Sequence, residues 1–313
     1  MLGWLPREKQ VPGWFALSVD TDEVDFAHGR YLPAAKPSIG VYGSQKLAAE
    51  KQDLPKIAHD MHLGRYQCAA LLRPGDYQLL LVEAPNVPAG ELKSAIRWKI
   101  KDMIDYHVDD ATIDVLDIPQ QDAAAGGRNH LMYAVSARND LIESRIRQFD
   151  EARIPLAVID IPETAQRNIA ALYETENRAV ALTYFADQWG LLTINYRTEL
   201  YLARRLDLGL QQLSADSADK EGGPLERIAV EIQRTLDHFD RQFRGIPVAR
   251  LLLAPTPRQT GIAEFLRARL GIESKEVDLR EVLAFDGDGP DGATQWRLFH
   301  HFGATLRHET KAL

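Results

Sequence analysis

Three stretches decide how this sequence is read: Arg178-Ala-Val-Ala-Leu-Thr-Tyr-Phe185, Trp189-Gly-Leu-Leu-Thr-Ile-Asn-Tyr196 and Glu199-Leu-Tyr-Leu-Ala-Arg-Arg-Leu206. Each is rich in β-branched, aromatic and leucine residues, which suit a pleated and buried surface. Short polar segments separate them, as between strands of a meander. They follow a helical pattern over 163–173, so a strand meander begins at residue 178 after an earlier half has ended in a helix. The chain therefore reads as two α/β halves.

The first half opens the same way. Residues 14–19 are apolar, 24–28 alternate, and 39–42 form a short strand. Residues 45–63 carry a helical stripe of Leu47, Leu54, Ile57, Ala58 and Met61, with Pro55 predicting a kink. Two apolar runs, 66–72 and 77–82, flank Arg73-Pro-Gly-Asp76, which predicts a hairpin. Leu92, Ala95, Ile96, Ile100, Met103 and Ile104 keep the helical period. Strands at 112–118, 131–136 and 156–161 alternate with helices at 140–152 and 163–173, and 120–129 reads as a loop.

In the second half, a polar loop at 214–223 precedes Pro224, a residue suited to the first helical position. Leu225, Ile228, Ala229, Ile232, Leu236, Phe239 and Phe243 then form one apolar stripe, the strongest helix in the chain. A strand at 250–254, a helix at 261–270, a strand at 275–279, a loop at 286–292 and a helix at 295–307 follow.

The 313 residues suffice for two domains and a sizeable core. With 37 basic against 45 acidic residues, the net charge of −8 excludes broad nucleic-acid binding. A single cysteine, Cys68, cannot form an internal disulfide and fits a reducing compartment. It lies in an apolar strand and reads as core. No apolar run approaches the roughly 20 residues that span a bilayer. The stretch from Met1 to Lys9 lacks the apolar region of a signal peptide. Leu2, Trp4 and Leu5 beside Arg7 and Lys9 are too short to anchor a protein, and a loosely tucked terminus is expected.

Isolated chemical groups read blandly. His59 and His62 lack a third metal ligand; His300, His301 and His308 read as surface or structural. Asp286-Gly-Asp-Gly-Pro-Asp-Gly292 has the wrong acid spacing for a calcium loop, with Arg297 where the closing Glu belongs. Asp109, Asp110, Asp114 and Asp117 suit an edge strand or a charged exposed face better than a catalytic pair. Ser18 and Ser136 lack the GxSxG context of a hydrolase elbow.

Several segments carry a family resemblance. Val87-Pro-Ala-Gly-Glu-Leu-Lys-Ser-Ala-Ile-Arg-Trp-Lys-Ile100 resembles a signature of the PilM family of type IV pilus assembly, in which a proline and acidic residues precede an Ala-Ile-Arg-Trp-Glu helix. Residues 231–253 resemble that family's long helix and following strand, and Val158-Ile-Asp-Ile-Pro-Glu-Thr-Ala165 the segment closing its first domain. Ala27-His28 and Phe302-Gly-Ala-Thr-Leu-Arg307 fit the MshI subgroup of mannose-sensitive haemagglutinin (MSHA) pilus biogenesis. The resemblance implies a two-lobed actin-like (ribonuclease H-like) fold. Its first lobe would be 1–177, with an inserted subdomain near 64–155. The second would be 178–313, with the helix at 293–308 returning to the first.

Actin-like ATPases hold nucleotide between two hairpins, each with an Asp and a Gly, and a Gly-Gly turn. The Asp serves Mg²⁺ or the attacking water; glycine lets amides reach phosphate. This sequence departs at all three. Ser18 and Asp20 stand where the first Asp and Gly belong, although a shifted register makes Asp20 the carboxylate. Tyr184 and Ala186 replace the second pair, and Pro255 and Thr256 the Gly-Gly, with Tyr184 and Pro255 expected to intrude on the phosphate and adenosine positions. No ATPase activity, cofactor or metal is expected, with ATP and Mg²⁺ as the alternative. The resemblance implies a cytoplasmic scaffold at the inner-membrane face that binds a PilN-like tail of an inner-membrane pilus assembly protein. The other alternative is the cytoplasmic domain of a type II secretion platform protein; that family continues into a membrane helix, and none occurs before Leu313.

Overall fold

In the computed structural model, which describes residues 10–31, 35–47, 53–119, 130–213, 222–258 and 260–307, the chain opens on β1 (Trp14–Val19), β2 (Glu23–Arg30) and β3 (Ser38–Lys46). Helix α1 (Asp53–Asp60) follows, then β4 (Gln67–Leu71) and β5 (Tyr77–Glu83). Next come α2 (Leu92–Ile100), β6 (Ala111–Asp117), β7 (Leu131–Arg138), α3 (Asn139–Glu151), β8 (Leu156–Asp160) and α4 (Pro162–Ala171). The second half holds β9 (Ala179–Phe185), β10 (Gly190–Tyr196), β11 (Glu199–Leu206), α5 (Pro224–Gln242), β12 (Val248–Leu253), α6 (Ile262–Leu270) and β13 (Ser274–Glu276). It ends with β14 (Ala284–Phe285), α7 (Gly292–Arg297) and α8 (Phe299–Thr305).

These strands form three sheets, ordered β14-β3-β2-β1-β4-β8, β11-β10-β9-β12-β13 and β5-β7-β6. In the first two, an antiparallel meander of three strands joins parallel strands supplied by helical crossovers. The meander read at residue 178 is present: β9, β10 and β11 pair in sequence, and every residue of β9 and β10 is buried.

The expected hairpin at 73–76 is corrected. The turn exists, with the Asp76 amide donating to the Arg73 carbonyl at 2.9 Å, but its two arms part company. Strand β4 lies parallel between β1 and β8, so both its edges are filled, and β5 pairs with β7 in another sheet. The separate sheet therefore spans 77–138, and β4, inside the range 64–155 read as an insertion, is a strand of the six-stranded sheet. The helix read over 45–63 is also shorter. Strand β3 runs to Lys46, and α1 is described over Asp53–Asp60 with Pro55 near its described start; residues 48–52 lie outside the described residues.

Inside the 77–138 unit, Ile96 and Ile100 of α2 are fully buried against Val82, Met132 and Ala134. Arg97 donates to the carbonyls of Val108 and Ala111, tying α2 to the start of β6. Trp98 of the same block points outward, 70% exposed.

On α5, Ile228, Ile232 and Phe239 are buried, while Leu236 and, just past the helix end, Phe243 are half-buried against the same core. The helix expected over 295–307 breaks at Leu298 into α7 and α8. All seven residues of α8 are buried, and it packs on β1, β2 and α4. There a Cβ on Gly303 would penetrate the Ala165 carbonyl, so the two helices meet at a contact only glycine allows. One apolar cluster joins Ala27 and Ile39 of the first sheet, Val180, Leu182 and Leu252 of the second, and Phe299 and Phe302 of α8. The 120–129 loop, the Met1 to Lys9 stretch, most of the 214–223 loop and His308 lie outside the described residues.

Candidate functional site

The β1–β2 hairpin, the β9–β10 hairpin, the 72–74 turn and α7–α8 enclose a cavity of about 210 Å³. Ser18, Asp20, Tyr184, Trp189, Arg297 and His301 are in its wall, with Asp22, Glu23, Asp25 and His300. Three of the six positions singled out in the sequence, Ser18, Asp20 and Tyr184, thus meet. The other three lie elsewhere. The Ala186 amide donates to the Trp189 carbonyl at 2.8 Å, closing the β9–β10 turn. Pro255 faces a separate recess of about 230 Å³ with Asp278 and Arg280. Thr256 donates its amide and hydroxyl to Glu276 Oε1 at 2.7 and 2.8 Å.

Within the cavity three of the four carboxylates pair with the chain's own arginines. Asp20 accepts the Thr21 amide at 2.6 Å, which holds its carboxyl below the usual range, and pairs with Arg73 at 2.6 Å. Arg297 bridges Glu23 and Asp25, the latter at 2.9 Å. Tyr184 is 7% exposed and lies against Phe299, His300 and Trp189, with ring centroids 5.6, 4.5 and 5.8 Å away. Burial pushes its phenol up.

The sequence reading passed over the two histidines as surface or structural; both are buried. His301 Nε2 is 2.8 Å from Ser18 Oγ, and His300 Nε2 is 3.3 Å from Gln166 Oε1. Burial lowers their pKa values to about 3 for His300 and about 4 for His301; Asp25 opposes the second shift and Arg297 adds to it. The signal was present in the sequence: Leu298, Phe299, Phe302, Ala304 and Leu306 surround them, and a helix apolar on all sides is buried.

A serine bonded to a histidine is the beginning of a hydrolytic relay, but the rest of the relay is lacking among the described residues. His301 Nδ1 has no hydrogen-bond partner, so no carboxylate orients the ring, and a base with a pKa of about 4 takes a proton weakly at neutral pH. Four carboxylates in the wall against two arginines leave a negative excess, which opposes a phosphate.

A second concavity, about 660 Å³, lies between the β1–β2 turn, Arg73, the end of β7 and α3. Arg73, Arg138, Arg145 and Arg147 line it together with Asp20, Asp140 and Glu151, and Arg145 donates to the Val19 carbonyl at 3.0 Å. It sits where the 77–138 unit rejoins the six-stranded sheet.

The remaining candidates are structural. His59 is an exposed neighbour of His62, and no group of three metal-binding side chains occurs among the described residues. Asp114 pairs with Lys93 and Asp117 with His130 on the β6 edge. Asp291 caps α7 through the Thr294 amide at 2.8 Å. Cys68 is fully buried, with its thiol pushed up to about 12 by burial. No described helix is long and apolar enough to cross a membrane.

No protein-family model matches the sequence, and no curated protein matches it. Solved structures do. A PilM–PilN type IV pilus biogenesis complex superposes with a TM-score of 0.69 at 16% identity, over 95% of this chain and 97% of that one. The cytoplasmic domain of EpsL, an inner-membrane component of the Vibrio cholerae type II secretion system, gives 0.47 at 13% identity, over 91% and 92%. A Bacteroides thetaiotaomicron protein with an actin-like ATPase fold gives 0.48 at 9%, over 95% and 99%. With its paired meander-and-crossover sheets, this chain has the two-lobed actin-like fold.

Proposed function

We propose that this chain is a non-catalytic scaffold of a type IV pilus biogenesis machine of the MSHA kind, related to MshI. It acts at the cytoplasmic face of the inner membrane and binds the cytoplasmic tail of a PilN-like assembly protein. One observation carries this reading: the cavity between the two hairpins holds three of its four acids on Arg73 and Arg297 and is walled by Tyr184 and two neutral histidines. A phosphate would have to displace those pairs and enter a net negative site. The likeness in fold to the PilM–PilN complex supports a pilus role, as does the Ala95-Ile-Arg-Trp98 block.

The tail docks in the 660 Å³ groove beside α3, whose arginines outnumber its acids four to three. An extended peptide gains affinity there from charge complementarity. The test is calorimetric titration of the chain with a synthetic PilN-like tail peptide, and separately with Mg–ATP. Saturable one-to-one peptide binding, lost in an Arg138→Glu, Arg147→Glu variant that keeps its melting temperature, is the expected result. Saturable micromolar binding of Mg–ATP without binding of the peptide would replace this reading with that of a nucleotide-binding ATPase.

A further inference from the structure

Asp20 and Arg73 line both concavities of the first half, the 210 Å³ inter-hairpin cavity and the 660 Å³ groove beside α3. They pair at 2.6 Å, with side chains 47% and 50% exposed. Their backbones are pinned. The Arg73 amide donates to Asp76 Oδ2 at 3.1 Å, and the Arg73 carbonyl accepts the Asp76 amide at 2.9 Å. The Asp20 amide donates to the Glu23 carbonyl at 2.8 Å. Rotation of side chains alone therefore separates the pair.

The groove's other arginines are placed differently. Arg145 is spent on the Val19 carbonyl at 3.0 Å and on Gln148 Oε1 at 2.8 Å. The Arg138 guanidinium lies over the Tyr106 ring, 4.5 Å from its centroid. Among the described residues Arg73 is the one groove arginine in an ion pair, and its carboxylates are the chain's own, Asp20 and, at 4.0 Å, Asp76. An arginine fork that already accepts one carboxylate has the geometry to accept another.

We infer that Arg73 reads an aspartate or glutamate of the docked peptide, and that Asp20 is an internal stand-in which that residue displaces. The inference rests on the groove reading above and adds the partner's chemistry: the part of the peptide that lies over the β1–β2 turn is acidic. The Thr21 amide, 2.6 Å from the Asp20 carboxylate, keeps this competitor ionised. Exposed ion pairs are worth little, so a well-placed carboxylate makes the exchange at small cost. A loose anion that gains nothing elsewhere in the groove does not, and the self-contact thereby sharpens selection.

Calorimetric titration of the full chain, Asp20→Asn, Arg73→Gln and the double variant tests this, with pentaglutamate and the PilN-like tail peptide as separate probes. Asparagine still accepts the Thr21 amide, so melting temperatures should hold. Asp20→Asn should tighten pentaglutamate binding by up to about fivefold, the worth of one exposed pair. Arg73→Gln should weaken it, and Asp20→Asn should add nothing once Arg73 is replaced. That last arm separates competition from mere loss of negative charge, which helps an acidic probe with or without Arg73. An equal gain in both backgrounds, or a gain in neither, overturns the inference. So does a tail peptide that binds Asp20→Asn more weakly and Arg73→Gln more tightly, because it then brings a cation to Asp20. Should pentaglutamate behave as expected while the tail peptide binds no form of the chain, the inference stands and the scaffold reading falls. Binding of neither probe overturns both.

Discussion

Ser18 and His301 stand 283 residues apart in sequence and hydrogen-bond at 2.8 Å, so the first strand and α8 meet at the centre of the inter-hairpin cavity. The contact lies in a buried place, where burial favours the neutral imidazole. Both α8 histidines stay neutral in the folded chain down to about pH 4 and about pH 3, whereas their ordinary value is 6.5. Between those limits the unfolded chain binds more protons. The contribution of these two histidines to stability is therefore complete above about pH 6.5 and falls as pH falls, by about 1.4 kcal/mol per histidine per pH unit. Urea unfolding at pH 7, 6 and 5 should show that slope. A His300→Gln, His301→Gln variant should flatten it, and an unchanged slope would assign it to other groups.

The nucleotide prediction rests on several losses at once. Tyr184→Asp with Ala186→Gly restores the residue types of one hairpin only. The Asp20–Arg73 pair and the Pro255-Thr256 turn remain as they are. Phosphate release from Mg–ATP by this variant should equal the no-enzyme background. Turnover well above it would show that one hairpin suffices.

Gly303 tests the α4–α8 contact. In an open helix, glycine to alanine stabilises by about 1 kcal/mol. Here the new methyl meets backbone, which cannot rotate away, so overpacking at about 1–3 kcal/mol or more outweighs the gain. Gly303→Ala should lower the melting temperature by several degrees, while Gly90→Ala, with open space around it, should not.

The α5 stripe makes a graded prediction. Phe239 is fully buried against Tyr201 and Phe243, and its truncation to alanine should cost about 3–5 kcal/mol. Leu236, half-buried, should cost less than Phe239 on truncation. Equal losses in denaturant titrations would mean that the outer face of α5 is covered in solution.

How much of this was legible depended on whether the signal was local. Strand β9 matches its reading over 179–185 because the whole run is buried and its ends are polar. Strands β4 and β5 were misjoined because a Pro-Gly turn looks the same whether the next strand returns to its neighbour or leaves for another sheet. Helix α1 was read too early since the Leu47 position suits either period. In the cavity, Ser18, Asp20 and Tyr184 were found through a family pattern, but Arg73, Arg297 and the histidine pair were not. Their partners are distant in sequence, Arg297 acting on Glu23 and Asp25 from the other end of the chain.

The cluster shared by both large sheets has a consequence for the order of synthesis. Ribosomes deliver β1, β2 and β3 first, yet Ala27 and Ile39 are covered by Phe299 and Phe302, and β3 is flanked by β14. The earliest strands therefore wait, apolar face open, for nearly the whole chain to emerge. A nascent chain stalled before residue 284 offers that face to chaperones or proteases, so quality control can act on incomplete copies before they meet a partner.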